Sequence, residues 1–127
     1  ALVYGRLPLM ITENCLVQNE TGCRLDRQGP CVPEDGPCRC GQPNVLVDRT
    51  GAAFPLLPAY GHRTEIQNSK PLYLADRPEH RRLGLAYARL RFTTETAEEC
   101  VSVVQNYLDA APAAGDFTRG LYERGVE

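Results

Sequence analysis

The spacing of apolar positions changes several times along the chain, and each change marks an element. Leu2-Val3-Tyr4 and Leu7-Pro8-Leu9-Met10-Ile11 are short apolar runs that read as extended, largely buried segments, with Gly5 a bend or bulge between them. From Glu13 to Asn44 the periodicity disappears. Gly22, Gly29, Pro30, Pro33, Gly36, Pro37, Gly41 and Pro43 disfavour regular structure there, and the stretch is too long for an ordinary connection. Order returns with Val45-Leu46-Val47 and Ala53-Phe54-Pro55-Leu56-Leu57. Separated by Asp48-Arg49-Thr50-Gly51, these runs predict a hairpin with Gly51 in the left-handed conformation. Turn chemistry accounts for Asp48. Pro55 predicts an edge strand, or a position whose N–H the ladder does not need.

Further on, Asp76-Arg77-Pro78 opens a short helix through Leu83, with Gly84 as its stop. Leu85 to Phe92 then alternates, placing Ala86, Ala88, Leu90 and Phe92 on the buried face of a strand. Thr96-Ala97-Glu98-Glu99 has the form of a capping box. Ala97, Cys100, Val101, Val104, Tyr107, Leu108 and Ala111 follow at helical spacing, and Pro112 to Gly115 end that helix before a short extended tail. The pattern predicts an α+β fold, a mixed sheet with a β-hairpin and two helices. The closing helix-strand-helix order is like part of a larger barrel-like α/β domain. At 127 residues the chain reads as one domain, 1–127, with a cysteine-rich loop at 13–44 inside it. It opens at Ala1 on strand-like residues and closes on Gly125-Val126-Glu127, so we expect an excised piece of a longer protein.

Composition narrows the function. A net charge of −2 gives no whole-domain electrostatic case for nucleic acid or membrane. No apolar run approaches the roughly 18 residues of a membrane span, and no signal-peptide pattern occurs, so a soluble, cytoplasmic protein without membrane contact is expected. Lys70 is the only lysine among the basic residues, a bias that genomic composition explains more simply than anion recognition. Arg6, Arg63, Arg119 and Arg124 are candidates for phosphate contacts. Without a glycine-rich phosphate loop or basic-aromatic alternation, solvated arginine is the default for each.

The long aperiodic loop needs something to hold it, and it carries five of the six cysteines: Cys15, Cys23, Cys31, Cys38 and Cys40. A secreted disulfide scaffold would spread its cysteines because it lacks a core, whereas the rest of this chain has ordinary globular patterning, so reduced thiols are expected. No two cysteines have the two-residue gap of a zinc knuckle. Thiolates still suit soft metals and iron–sulfur clusters, and widely spaced ligands suit a cluster set into a larger fold. Cys100 falls on the apolar helical stripe and reads as a core residue. His80 reads as a solvated helix residue. His62, after the hairpin, could close a ligand set from outside the loop, though spacing alone does not select it. For hydrolysis there is neither a paired-histidine zinc motif nor a glycine-flanked serine. Ser69, beside Asn68 at an expected turn, and Ser102, mid-helix, have no evident partners.

Several segments taken together resemble the collagenase-like peptidase family U-32. They are Tyr4-Gly5-Arg6-x-Pro8-Leu9-Met10 with Cys15; Leu46-Val47-Asp48-Arg49-x-Gly51-x-x-Phe54-Pro55; Ile66-x-Asn68-Ser69-x-Pro71-Leu72-Tyr73-Leu74; Arg91-Phe92-Thr93; and Phe117-Thr118-Arg119-Gly120 with Arg124-Gly125-Val126-Glu127. The likeness runs nearly end to end and in order. It implies the C-terminal part of a peptidase U-32 type domain, whose first partner is the remainder of its own barrel.

The family is named for peptidase activity, for which no agreed catalytic residues carry over. Other members are bacterial enzymes that hydroxylate RNA bases or quinones and hold an iron–sulfur cluster on four cysteines, which makes RNA a further partner to consider. On this chain the resemblance maps the first ligand to Cys15, the second to Cys23 and the third to Cys38 or Cys40. At the fourth, relatives carry cysteine and this chain has His62. Three thiolates and an imidazole also make a good zinc set, so zinc in place of the cluster stays open. A third expectation, from a different class, is a non-catalytic, metal-clamped module presenting a surface to RNA or protein.

Overall fold

The computed structural model describes residues 1–21, 43–77 and 79–121. In chain order the elements are β1 (Leu2–Thr12), α1 (Leu16–Thr21), β2 (Asn44–Val47), β3 (Ala53–Ala59), β4 (Arg63–Tyr73), α2 (Glu79–Arg82), β5 (Arg89–Leu90) and α3 (Ala97–Leu108). The strands form an open sheet in the order β2-β3-β4-β1-β5. It is mixed, because β5 runs parallel to β1 while β3 is antiparallel to both β2 and β4. This is the expected α+β class. Among the described residues no helix is long and apolar enough to cross a membrane. Two compact units divide the chain, Pro8–Ser69 and Ala1–Leu7 with Lys70–Glu127, and β1 and β4 contribute residues to both.

In the unit Pro8–Ser69 the hairpin forms as its turn residues dictate. Val47 pairs with Ala53 across the turn and Asn44 with Leu56 at the open end. Asp48 Oδ1 accepts from the Thr50 N–H (2.7 Å), the Thr50 hydroxyl (2.7 Å) and the Ala52 N–H (3.0 Å), while Gly51 has φ 86°. Hydrogen bonds to the charged form, that from the Thr50 hydroxyl foremost, hold the Asp48 carboxyl below the ordinary range. Pro55 is not on an edge strand, since β3 lies between β2 and β4. It pairs with Val45 of β2 and sits one residue beyond Leu56–Ile66, where the β3–β4 ladder ends.

Three expectations fail in this unit. Ser69 lies inside β4 rather than at a turn. The run Leu9-Met10-Ile11 is exposed rather than buried. Regular structure also reaches into the cysteine-rich stretch as α1. The buried positions of β4 here are polar, Thr64 and Gln67, which backbone pairing and side-chain hydrogen bonds make tolerable. The Gln67 amide, for example, donates to Glu65 (2.9 Å).

The other unit has an aromatic core. Val3, Leu72 and Leu74 form one buried group and Tyr4, Tyr73 and Ala75 a second, with Tyr107 of α3 packed against both. Tyr4, Tyr73 and Tyr107 meet edge-on or tilted, with ring centroids 5.5 to 6.4 Å apart. Burial pushes the Tyr107 phenol up to about 12, so at neutral pH it is an O–H, donating to the Val3 carbonyl (2.5 Å) and accepting the Leu74 N–H (2.8 Å).

The capping box is present. The Thr96 hydroxyl accepts the Glu99 N–H at 3.3 Å, and the Glu99 carboxylate accepts the Thr96 N–H at 2.7 Å. Val103 and Tyr107 of α3 face the core. Val101, Val104 and Leu108, expected inside, are exposed, and Cys100 is half-buried. The strand expected over Leu85–Phe92 shortens to Arg89–Leu90, with Leu85–Ala88 exposed.

Arg119 is not a solvated arginine. Its guanidinium spans both Asp76 carboxylate oxygens (2.6 and 2.8 Å), donates to the Tyr73 carbonyl (2.6 Å) and lies over the Phe117 ring. The Arg119 hydrogen bond is the main cause that holds Asp76 below the ordinary carboxylate range. A depressed folded pKa means that this stabilisation is complete above the unfolded value, about 3.9, and is lost as pH falls through the folded value. Urea unfolding across a pH series should therefore find Asp76→Asn less stable than wild type at pH 7, with the difference closing below about pH 4. A difference constant with pH would contradict this role.

Candidate metal centre

Of the five candidate ligand residues, Cys15 and His62 fall on described residues; Cys23, Cys38 and Cys40, like the remaining loop cysteine Cys31, lie outside them. Cys15 is a half-buried free thiol on the residue preceding α1. His62 ends the turn Tyr60-Gly61-His62 that joins β3 to β4. The strand pairing closes at Ala59–Arg63, leaving three residues to reverse the chain, and both Gly61 (φ 74°) and His62 (φ 57°) take up left-handed backbone to do so. Histidine is one of the few residues with a side chain that enters this region readily.

Local bonds bring the two positions to one end of the unit. β1 finishes at Thr12, whose hydroxyl accepts the Thr64 N–H (3.2 Å) and lies close to both the Asn14 carbonyl (2.5 Å) and the Thr64 carbonyl (3.3 Å), either of which can take its proton. The Leu16 N–H, left without an intrahelical acceptor at the start of α1, donates to the Thr64 hydroxyl (3.0 Å). Glu13 and Arg63 pair at 2.9 Å. Both side chains of that pair are well exposed, so it adds at most about 1 kcal/mol, and the threonine contacts are the stronger tie. Glu13 and Leu16, which bracket Asn14 and Cys15, are thus bonded to Arg63 and Thr64. His62 lies within two residues of Thr64, a chain reach of about 7 Å.

Cysteine and histidine are residue types that suit a soft metal. Among the described residues no three His, Cys, Asp or Glu side chains gather, so any further ligands come from elsewhere. Sequence reasoning missed Thr12 and Thr64 altogether. Their one signal is proximity, Thr12 three residues before Cys15 and Thr64 two after His62, and threonine in a polar strand does not draw notice. The other candidates are dispersed. His80 is on α2, Ser69 on β4, and Ser102 on the exposed side of α3. Arg6 donates to the Thr94 hydroxyl (3.3 Å), Arg63 and Arg119 are engaged by carboxylates, and Arg124 lies outside the described residues.

The fold therefore defines an α+β chain with an open mixed sheet, in one unit of which Leu16, the residue after Cys15, is bonded to Thr64, two residues beyond His62. No family model, curated protein or solved structure matches the chain.

Proposed function

We propose that this chain is part of a U-32 type domain and that Cys15, Cys23, one of Cys38 and Cys40, and His62 hold an iron–sulfur centre, with zinc the alternative occupant. The reaction we favour for the full-length protein is hydroxylation of an RNA base or a related small aromatic substrate, over the peptide hydrolysis that gives the family its name. One observation carries the metal reading: the chain on both sides of Cys15 is bonded to the two residues that follow His62. The sequence resemblance alone carries the choice of reaction. When bound, such a cluster would supply one-electron chemistry. The protein's own part is to hold Cys15 and His62 where both can reach the centre.

Substitution separates the readings. In the full-length protein purified without oxygen, Cys15→Ser and Cys23→Ser should each lose most of the bound metal, and hydroxylating activity with it. Gelatin or collagen cleavage that survives both substitutions would count against the reading and favour hydrolysis. A colourless protein holding one tight zinc would favour the metal-clamped module instead.

A further inference from the structure

β2 is the outermost strand of its unit, and among the described residues no strand pairs with its free edge. The ladder on its other side sets which backbone groups face outward. The Asp48 N–H donates to the Ala52 carbonyl (3.0 Å), which makes Asp48 and Ala52 a hydrogen-bonded pair. Bonded and unbonded pairs alternate along an antiparallel ladder. Leu46–Phe54 and Asn44–Leu56 are therefore bonded, and Val47–Ala53 and Val45–Pro55 are not. Pro55, with no N–H to give, suits the unbonded position. The N–H and C=O of Val45 and Val47 thus point away from β3, toward the open edge.

The side chains do not close that edge. Edge strands are ordinarily guarded by a charge, a proline or a bulge. β2 carries none of these, and Val45, Leu46 and Val47 are 55%, 46% and 59% exposed.

We propose that β2 pairs with β2 of a second copy of this chain, antiparallel about a two-fold axis at Leu46. The outward groups set the register. Val45 of each copy lies opposite Val47 of the other, and each of these pairs exchanges both of its N–H···O bonds. Leu46 then meets the second copy's Leu46 on one face of the joined sheet, and the valines meet on the other. Asp48 comes opposite the uncharged Asn44, so no like charges meet. β2 has no charged side chain to select a foreign peptide, whereas its own sequence supplies an apolar complement in register. The contact is small, so the association is reversible. It is independent of the metal reading.

Sedimentation velocity of the reduced protein over a concentration series tests this. Wild type should pass from monomer to dimer as concentration rises. Val47→Pro removes an N–H that β3 does not use and half of the backbone bonds between copies, and it should weaken the dimer at least about 10-fold. Leu46→Lys and Leu46→Glu each set like charges opposite one another and should each weaken self-association. An equimolar mixture of the two should recover the dimer, because opposite charges then meet. That exposed position keeps the test valid if Val47→Pro does not fold.

A wild type that stays monomeric up to its solubility limit would overturn the proposal, and slow amide exchange at Val45 and Val47 in that monomer would show a different occupant on the edge. A dimer that survives Val47→Pro and both Leu46 substitutions, or a mixture that fails to recover it, would overturn the proposal as well.

Discussion

Gly5→Ala is expected to lower the stability of the unit containing residues 1–7 and 70–127 by about 3 kcal/mol or more, a large share of what a domain this size possesses. Two independent causes act together. Gly5 has φ 127°, a backbone conformation that a residue with Cβ adopts only under strain. A Cβ there would also lie 2.3 Å from the Arg91 carbonyl oxygen, which is backbone and cannot rotate away. That close approach exists because β1 accepts the Arg91 N–H on the Tyr4 carbonyl (2.9 Å) and runs parallel to β5, whose register shifts between Leu2 and Tyr4. Denaturant unfolding of the pair reports the loss directly. A change below about 1 kcal/mol would mean that the strand bends freely at this point.

Tyr107→Phe should be the next most damaging single change, at about 2–4 kcal/mol, although it removes one oxygen atom and leaves the ring packing intact. The phenol joins β1 to the segment after β4 by donating to Val3 and accepting from Leu74. Deleting it leaves a buried carbonyl and a buried N–H unsatisfied together, and each orphan costs about 1–3 kcal/mol. Tyr73→Phe is the control. Its hydroxyl makes one bond, to the Ala111 carbonyl (2.9 Å), so about 1 kcal/mol is expected. Equal losses for the two substitutions would show that ring burial, rather than the bridge, accounts for the role of Tyr107.

Local signals were legible in the sequence. The hairpin, with Asp48 and Gly51 at its turn, and the capping box at Thr96 and Glu99 each depend on residues a few positions apart, and both formed as expected. β4 was not legible. Arg63-Thr64-Glu65-Ile66-Gln67-Asn68-Ser69-Lys70 has neither alternation nor β-rich composition, yet it is an interior strand between β3 and β1. Its buried Thr64 is made tolerable by hydrogen bonds to Thr12 and Leu16, partners distant in sequence that no local window contains. Helix α3 erred in the opposite direction. Its apolar arc is wider than the face it buries, so Val101 and Leu108 read as core and are exposed. Similarly, the alternation of Leu85–Ala88 imitates a strand face that nothing covers in its own unit.

The candidate site divides along the same line. Cysteine spacing pointed to the loop, and the resemblance added His62. The tie between Cys15 and the His62 turn depends on Thr12 and Thr64, whose roles arise only once β1 and β4 come together.

The central claim is that Cys15 belongs to a thiolate metal centre. The most direct test is iron, zinc and acid-labile sulfide analysis of the full-length protein purified without oxygen, beside its Cys15→Ser variant. Iron with matching sulfide, or in its place one zinc, is predicted in the wild type and lost in the variant. Metal-free wild-type protein, or a variant with undiminished metal, would contradict the claim.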